Sequence, residues 1–208
     1  MRILIVDDHA IVRVGLKQLL LEERSDFKIG EAGSGQEALK MIRKEHWNLV
    51  LLDINLPNKN GLEVLKQIRN INKNISVLIL SMYPEDQYAV RAVRAGAAGY
   101  MTKESAPEKL LEAINCVTGG KRYISHNVAE QLAREIENGR EGLPHSQLSD
   151  RELEIMLKIA SGKTVSEIAN ELALSVKTIS TYRSRVLKKL NMKHNAELTH
   201  YAIRQNLV

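Results

Sequence analysis

Over the first 120 residues, short and often β-branched apolar runs alternate with longer stretches whose apolar positions recur at helical spacing. ILIVDD, FKIGEA, LVLLD, VLILS and AGYMTK read as strands, and the segments near 10–22, 35–45, 61–70, 85–96 and 107–118 read as helices. Five such repeats predict an α/β domain, a (βα)5 unit doubly wound around a parallel sheet. Gly61 and Pro107 sit where helices begin, and Gly119 with Gly120 marks the end of the fifth.

The pattern then weakens. Residues 121–147 hold a short helical stretch near 128–136 followed by ENGREGLPHSQ, rich in Gly, Pro and polar residues, and read as a linker. A helical pattern resumes at 148. Ser149 stands three residues before Glu152, the spacing of a capping box, and opens LSDRELEIMLKIASG. Helices are expected near 150–161, 165–172, 176–190 and 195–205, so residues 148–208 form a small all-α domain.

The chain is 44% hydrophobic and 26% charged, and no apolar run approaches the roughly 18 residues of a membrane span. MRILIVDD turns acidic too soon for a secretory signal, so a cytoplasmic protein without a membrane partner is expected. Cys116, the single cysteine, excludes a disulfide framework and reads as core filling, and the six histidines show no metal-binding spacing. Net charge is +5, and it is uneven. Residues 1–120 carry 16 basic and 15 acidic side chains, residues 121–208 carry 14 and 10. Lys177, Arg183, Arg185, Lys188, Lys189 and Lys193 follow one another with no acidic residue among them, the footprint of a phosphate-contacting surface.

In open α/β sheets functional groups gather at the carboxyl ends of the strands. Asp7 and Asp8 end the first predicted strand, Asp53 the third, Ser81 the fourth and Lys103 the fifth. Carboxylates meeting at one sheet edge repel, and a hard divalent cation with oxygen ligands resolves the conflict; Mg2+ is the natural occupant. A carboxylate beside Mg2+ can attack a phosphoryl phosphorus, with the Lys103 ammonium and the Ser81 hydroxyl engaging the equatorial oxygens.

These residues, in this order, resemble the receiver domain of response regulators: DD after strand one, D53xNLPxxxG61, Ser81 after strand four and GYMTK103 after strand five. The resemblance covers residues 1–120. It implies that Asp53 is the phosphoacceptor, that Asp7, Asp8, Asp53 and the backbone carbonyl of Asn55 hold Mg2+, and that Ser81 and Tyr100 form the switch. It also implies a sensor histidine kinase as partner. An aspartyl-phosphate hydrolase acting on small molecules usually carries a second acid two residues past its nucleophile; here that position is Asn55, and a non-enzymatic regulator is expected.

SEIANELALSVKTISTYRSRVLKKL reads as helix, tight turn, helix. Ile168, Ala169 and Leu172 give one apolar face, and Ile179, Val186, Leu187 and Leu190 the other; the second helix turns Lys177, Ser180, Thr181, Ser184, Arg185 and Lys188 outward, as a major-groove reader would. From LSDRELEIML to AELTHYAI the chain is similar to the LuxR-type helix-turn-helix of NarL/FixJ-class regulators, and KTISTYR and ELTHYAIR more particularly resemble the GacA/UvrY subgroup, which activates small regulatory RNA genes. Tyr182 and Ser180 depart from the commoner His and Lys of that class. The resemblance implies that Thr178 to Lys188 face double-stranded DNA, with Ser180, Thr181 and Ser184 toward bases and Lys177, Arg185 and Lys188 toward phosphates. It implies a homodimer when phosphorylated or DNA-bound, through Leu198, Tyr201 and Ala202 of the last helix. SGKT at 161–164 ends like a phosphate-binding loop, but Leu157 stands where such a loop needs its first glycine.

Overall fold

A computed structural model of the chain describes residues 1–105, 107–137, 143–205 and 207–208, so the middle of the expected linker, 138–142, lies outside the described residues. The chain divides into two compact units, Met1–Glu130 and Gln131–Val208.

In the first unit β1 (Arg2–Val6), β2 (Lys28–Ala32), β3 (Leu49–Asp53), β4 (Ser76–Ser81) and β5 (Gly99–Thr102) alternate with α1 (Ala10–Glu23), α2 (Gly35–Lys44), α3 (Gly61–Ile71), α4 (Glu85–Arg94) and α5 (Pro107–Thr118). All strand pairs are parallel, in the order β2-β1-β3-β4-β5. The order reverses between β1 and β3, and that is where an α/β sheet opens its crevice. Alternate residues Ile3, Ile5, Leu49, Leu51, Leu78 and Leu80 pack on one face against Leu20, Phe27, Leu110, Ile114 and Val117. Their neighbours Leu4, Val50, Leu52, Val77 and Ile79 are equally buried on the other, which is why these strands are apolar at successive positions. Each element lies where the pattern predicts it, with ends shifted by a residue or two: the first strand stops at Val6, leaving Asp7 and Asp8 beyond it.

Past α5 the chain does not leave the sheet at residue 120. Gly120 takes a left-handed conformation, φ +79°, and the Lys121 amide closes on the Cys116 carbonyl at 3.1 Å, a helix stop of the kind glycine permits. Tyr123 then returns to the edge of β5 through a parallel bridge with Gly99. Ser125 starts α6 (His126–Glu137), with its hydroxyl accepting from the Val128 amide. Cys116, expected in the core, is half-buried, and its Sγ lies 3.5 Å from the Arg122 carbonyl.

The second unit contains a 3-10 turn at Pro144–Gln147, which the sequence pattern did not signal, then α7 (Asp150–Ala160), α8 (Val165–Glu171), α9 (Val176–Lys189) and α10 (Asn195–Arg204). Leu153, Met156, Ile168, Ile179, Val186, Leu198 and Ala202 form its interior. The capping box of Ser149 and Glu152 is present, and Thr164 with Glu167 builds a second one. SGKT is thereby explained as helix punctuation: Gly162 ends α7 at φ +87° and Thr164 caps α8.

Candidate functional site

The parallel sheet delivers Asp7, Asp53, Ser81 and Lys103 to one edge because the strands preceding them run side by side in register. Asp7 and Asp53 are each 2% exposed. Lys103 bridges them, its Nζ 2.6 Å from Asp7 Oδ2 and 2.7 Å from Asp53 Oδ2. Asp53 Oδ1 accepts from the Asn55 amide at 3.2 Å. Burial pushes the Asp53 carboxyl up to about 6, against the opposing pull of the Lys103 ammonium. The same two carboxylates raise the Lys103 ammonium above its ordinary range, outweighing its own desolvation.

Asp8 is exposed at the rim, and oxygens of Asp7, Asp8 and Asp53 together with a His9 ring nitrogen lie within 4.8 Å of one another. Hard carboxylate oxygens converging this closely suit a divalent cation such as Mg2+. His9, which has no metal-binding spacing to the other histidines, belongs to the pocket: its amide donates to Asp7 Oδ1 at 2.9 Å, and its Nδ1 lies 2.9 Å from Asp8 Oδ1 and 3.1 Å from Asp7 Oδ1. Adjacency to the acidic pair was its only signal. Gly61 is required by close approach, since a Cβ there would lie 2.1 Å from the Asp53 carbonyl oxygen while its amide donates to Ile54 O at 2.8 Å.

Ser81 is fully buried, and its Oγ accepts from the Tyr83 amide at 3.0 Å. Tyr100 is buried too, its hydroxyl donating to the Tyr83 carbonyl at 2.8 Å. Burial holds the Tyr100 phenol protonated well above its ordinary range. The two expected switch residues thus meet on one loop residue, Tyr83, through its amide and its carbonyl.

In the second unit α8, a turn through Ala173 at φ +51° and α9 form the helix-turn-helix. Ile179, Val186, Leu187 and Leu190 face inward, and Lys177, Ser180, Thr181, Ser184, Arg185 and Lys188 are exposed together on the opposite face. Thr178 is half-buried and its hydroxyl pairs with that of the helix cap, Ser175, at 2.7 Å. Thr181 and Ser184 donate their hydroxyls to the carbonyls of Lys177 and Ser180 at 2.9 and 3.0 Å. The run of six cations is not one surface. Arg183 Nε donates to Asn195 Oδ1 at 2.6 Å and Lys189 Nζ to Glu152 Oε2 at 2.6 Å, so both hold helices together.

Of the expected dimer residues, Leu198 and Ala202 are 0% exposed in the interior of their own unit, where α10 packs on α7. Tyr201 is half-buried, with its hydroxyl 2.8 Å from His145 Nδ1. The outward face of α10 carries Ala196, His200 and Ile203 instead.

An acidic pocket at the carboxyl edge of a parallel sheet, joined to a helix-turn-helix, defines a two-part regulator with an input and an output unit. Residues 3–115 match the response regulator receiver domain family, and residues 146–202 match the luxR family of bacterial regulatory proteins. The chain is 39% identical to the response regulator UvrY of Escherichia coli K12 over 206 residues, covering 99% of this chain and 94% of that one. It is 36% identical to the response regulator GacA of Pseudomonas aeruginosa over 208 residues, covering 100% and 97%. The structure of RcsB from Salmonella enterica serovar Typhimurium, bound to promoter rprA in the presence of the phosphomimetic BeF3-, aligns with a TM-score of 0.63 at 26% identity over 97% of this chain and 98% of that one. The chain belongs to the response regulators of the LuxR family, with a receiver domain followed by a DNA-binding domain. Among the described residues no helix is long and apolar enough to cross a membrane.

Proposed function

We propose that this protein is a cytoplasmic regulator of transcription, in which a sensor histidine kinase phosphorylates Asp53 and thereby switches dimerisation and sequence-specific binding to double-stranded DNA. The observation that carries the reading is the buried Asp7–Lys103–Asp53 bridge at the sheet edge. An Asp53 oxygen attacks the phosphorus of a kinase phosphohistidine; the P–O bond forms as the P–N bond breaks, and the imidazole leaves. With its carboxyl pushed up only to about 6, Asp53 is largely ionised at neutral pH, as a nucleophile must be. Asp7, Asp8, Asp53 and Asn55 would hold Mg2+, which when bound offsets the charge of the transferring oxygens. Lys103 stays within reach of the new phosphoryl group, which adds a charge of about −2. Ser81 gives up the Tyr83 amide to donate its hydroxyl to a phosphoryl oxygen, and Tyr100, bonded to the same loop residue, registers that movement.

On the output side, Lys177, Arg185 and Lys188 contact phosphates while Thr178, Ser180, Thr181 and Ser184 approach base edges in the major groove. RcsB bound to a promoter in the presence of a phosphomimetic supports the link between an activated receiver and DNA binding. The test is acetyl phosphate with Mg2+, wild type against Asp53→Ala, read by intact mass, light scattering and DNA binding. Phosphorylation, dimerisation and a gain in DNA affinity that all vanish in Asp53→Ala are expected. A modification that persists in Asp53→Ala would place the phosphoacceptor elsewhere, and equal DNA affinity in every condition would make the receiver a passive module.

A further inference from the structure

β5 is the last strand of the sheet, so one row of its backbone groups would be left without a strand partner. Tyr123 covers part of it. Its amide donates to the Ala98 carbonyl at 2.9 Å, and its carbonyl accepts from the Tyr100 amide at 3.2 Å. The contact demands glycine at its centre: a Cβ on Gly99 would lie 2.7 Å from the Tyr123 carbonyl oxygen and 3.0 Å from Tyr123 Cβ on one side, and 2.9 Å from Leu78 Cδ1 of the sheet core on the other. Arg122 supports it from beside, with Nη1 3.4 Å from the Ala97 carbonyl and 3.5 Å from that of Val93.

Tyr100 is therefore held at both ends. Its hydroxyl is bonded to Tyr83 in the loop that follows Ser81 and β4, and its amide is bonded to the residue that leads into α6. Two residues after Tyr123, Ser125 caps α6, the helix through which the chain passes into the second unit. A backbone hydrogen bond ties positions to a few tenths of an ångström, so a shift of Tyr100 must either carry Tyr123 with it or break the bond. We infer that the bridge between Tyr123 and the β5 edge is the coupling element that conveys the state of the phosphorylation pocket to α6, with Gly99 and Tyr123 as positioning residues. The inference rests on the reading of the protein as a phosphorylation-switched DNA binder. A bridge of this kind transmits by being made or unmade as a discrete two-state contact whose equilibrium the pocket biases.

The decisive comparison is full-length wild type, Gly99→Ala and Arg122→Ala, each with and without acetyl phosphate and Mg2+. Gly99→Ala is expected to accept phosphate at the wild-type rate while the ratio of phosphorylated to unphosphorylated DNA affinity falls at least fivefold toward one. Arg122→Ala, which removes a side support and introduces no clash, is expected to lower that ratio by about two- to threefold and guards against misfolding of the glycine variant. Hydrogen exchange on the wild type supplies a readout that a purely structural contact would not move: phosphorylation should change protection at the Tyr100 and Tyr123 amides together. A wild type whose DNA affinity ignores phosphorylation would defeat the functional reading itself. A wild type that switches, alongside variants that switch equally well or a Tyr123 amide indifferent to phosphorylation, would overturn the coupling role alone.

Discussion

Replacing Lys103 with Met tests the electrostatics of the pocket most directly. The ammonium sits 2.6 and 2.7 Å from two carboxylates whose side chains are 3% and 2% exposed, and is itself only 11% exposed. Removing one partner of a buried ion pair costs about 3–5 kcal/mol, because the remaining charge keeps its desolvation penalty. Met fills a similar volume, so little of the loss is packing. The cost is limited by an escape route: Asp53 can take a proton. Its carboxyl is already raised from 3.8 to about 6, so the folded state binds protons more tightly than the unfolded chain. Wild-type stability therefore rises as pH falls from about 6 to about 4, by about 3 kcal/mol for a two-unit shift. Without Lys103 the carboxyl moves higher still, and the pH dependence steepens. We expect a loss of about 3–5 kcal/mol near pH 7.5, shrinking to about 1–2 kcal/mol near pH 5. Asp53→Asn should do the reverse without Mg2+, stabilising by about 2–3 kcal/mol near pH 7.5 and by almost nothing near pH 4. Urea unfolding followed by Trp47, the single tryptophan and buried in the first unit, reads this out. A Lys103→Met loss that is independent of pH, or below about 1 kcal/mol, would show the pocket to be solvent-screened and refute this reasoning.

Gly61→Ala places a Cβ 2.1 Å from the Asp53 carbonyl oxygen, so thermal melting should show a loss above about 2 kcal/mol and phosphate uptake should fall with it. A wild-type melt would mean the loop relaxes freely. Leu198→Asp buries a carboxylate in the core of the second unit and should abolish DNA binding by unfolding, visible as lost helical circular dichroism. Ile203→Asp, at a side chain 58% exposed on the outward face of α10, should instead preserve the melt and weaken only cooperative DNA binding; an unchanged cooperativity would take that face out of the dimer. Lys188→Ala should reduce the salt dependence of DNA binding by about one counterion, whereas Arg183→Ala, which loses its bond to Asn195, should lower stability and leave the slope alone. Equal slopes for both variants would contradict the division of the cations.

The pocket was legible in the sequence because a parallel sheet sends every strand's carboxyl end to the same edge. Once ILIVDD, LVLLD, VLILS and AGYMTK are read as strands, Asp7, Asp53, Ser81 and Lys103 have nowhere else to converge. The helix starts were legible for a similarly local reason, since Ser149 and Glu152 satisfy each other across three residues. His9 was not, because a histidine beside an acidic pair has the same spacing whether its ring turns toward the carboxylates or toward water.

What escaped depends on partners that a pattern of residues does not name. Leu198, Tyr201 and Ala202 make the i, i+3, i+4 stripe of any helix with something to pack against, and that stripe is the same whether the partner is a second chain or α7 of this one. In this chain Leu198 and Ala202 are buried inside their own unit, where α10 packs on α7, while Ile203 on the same helix is 58% exposed. The cations behave alike: Arg183 and Lys189 fall in the same basic run as Lys177 and Lys188, yet their partners, Asn195 and Glu152, lie 12 and 37 residues away. Tyr123 has no period at all, being one bridged residue in a segment that reads as a linker, and only the tight fit at Gly99 gives it away. Chemistry that follows from the direction of a strand or the first turn of a helix can thus be read along the chain, while the assignment of a face or a charge to one partner among several waits on tertiary packing. That is also why the coupling inferred at β5 is testable by so small a change as one methyl group on Gly99.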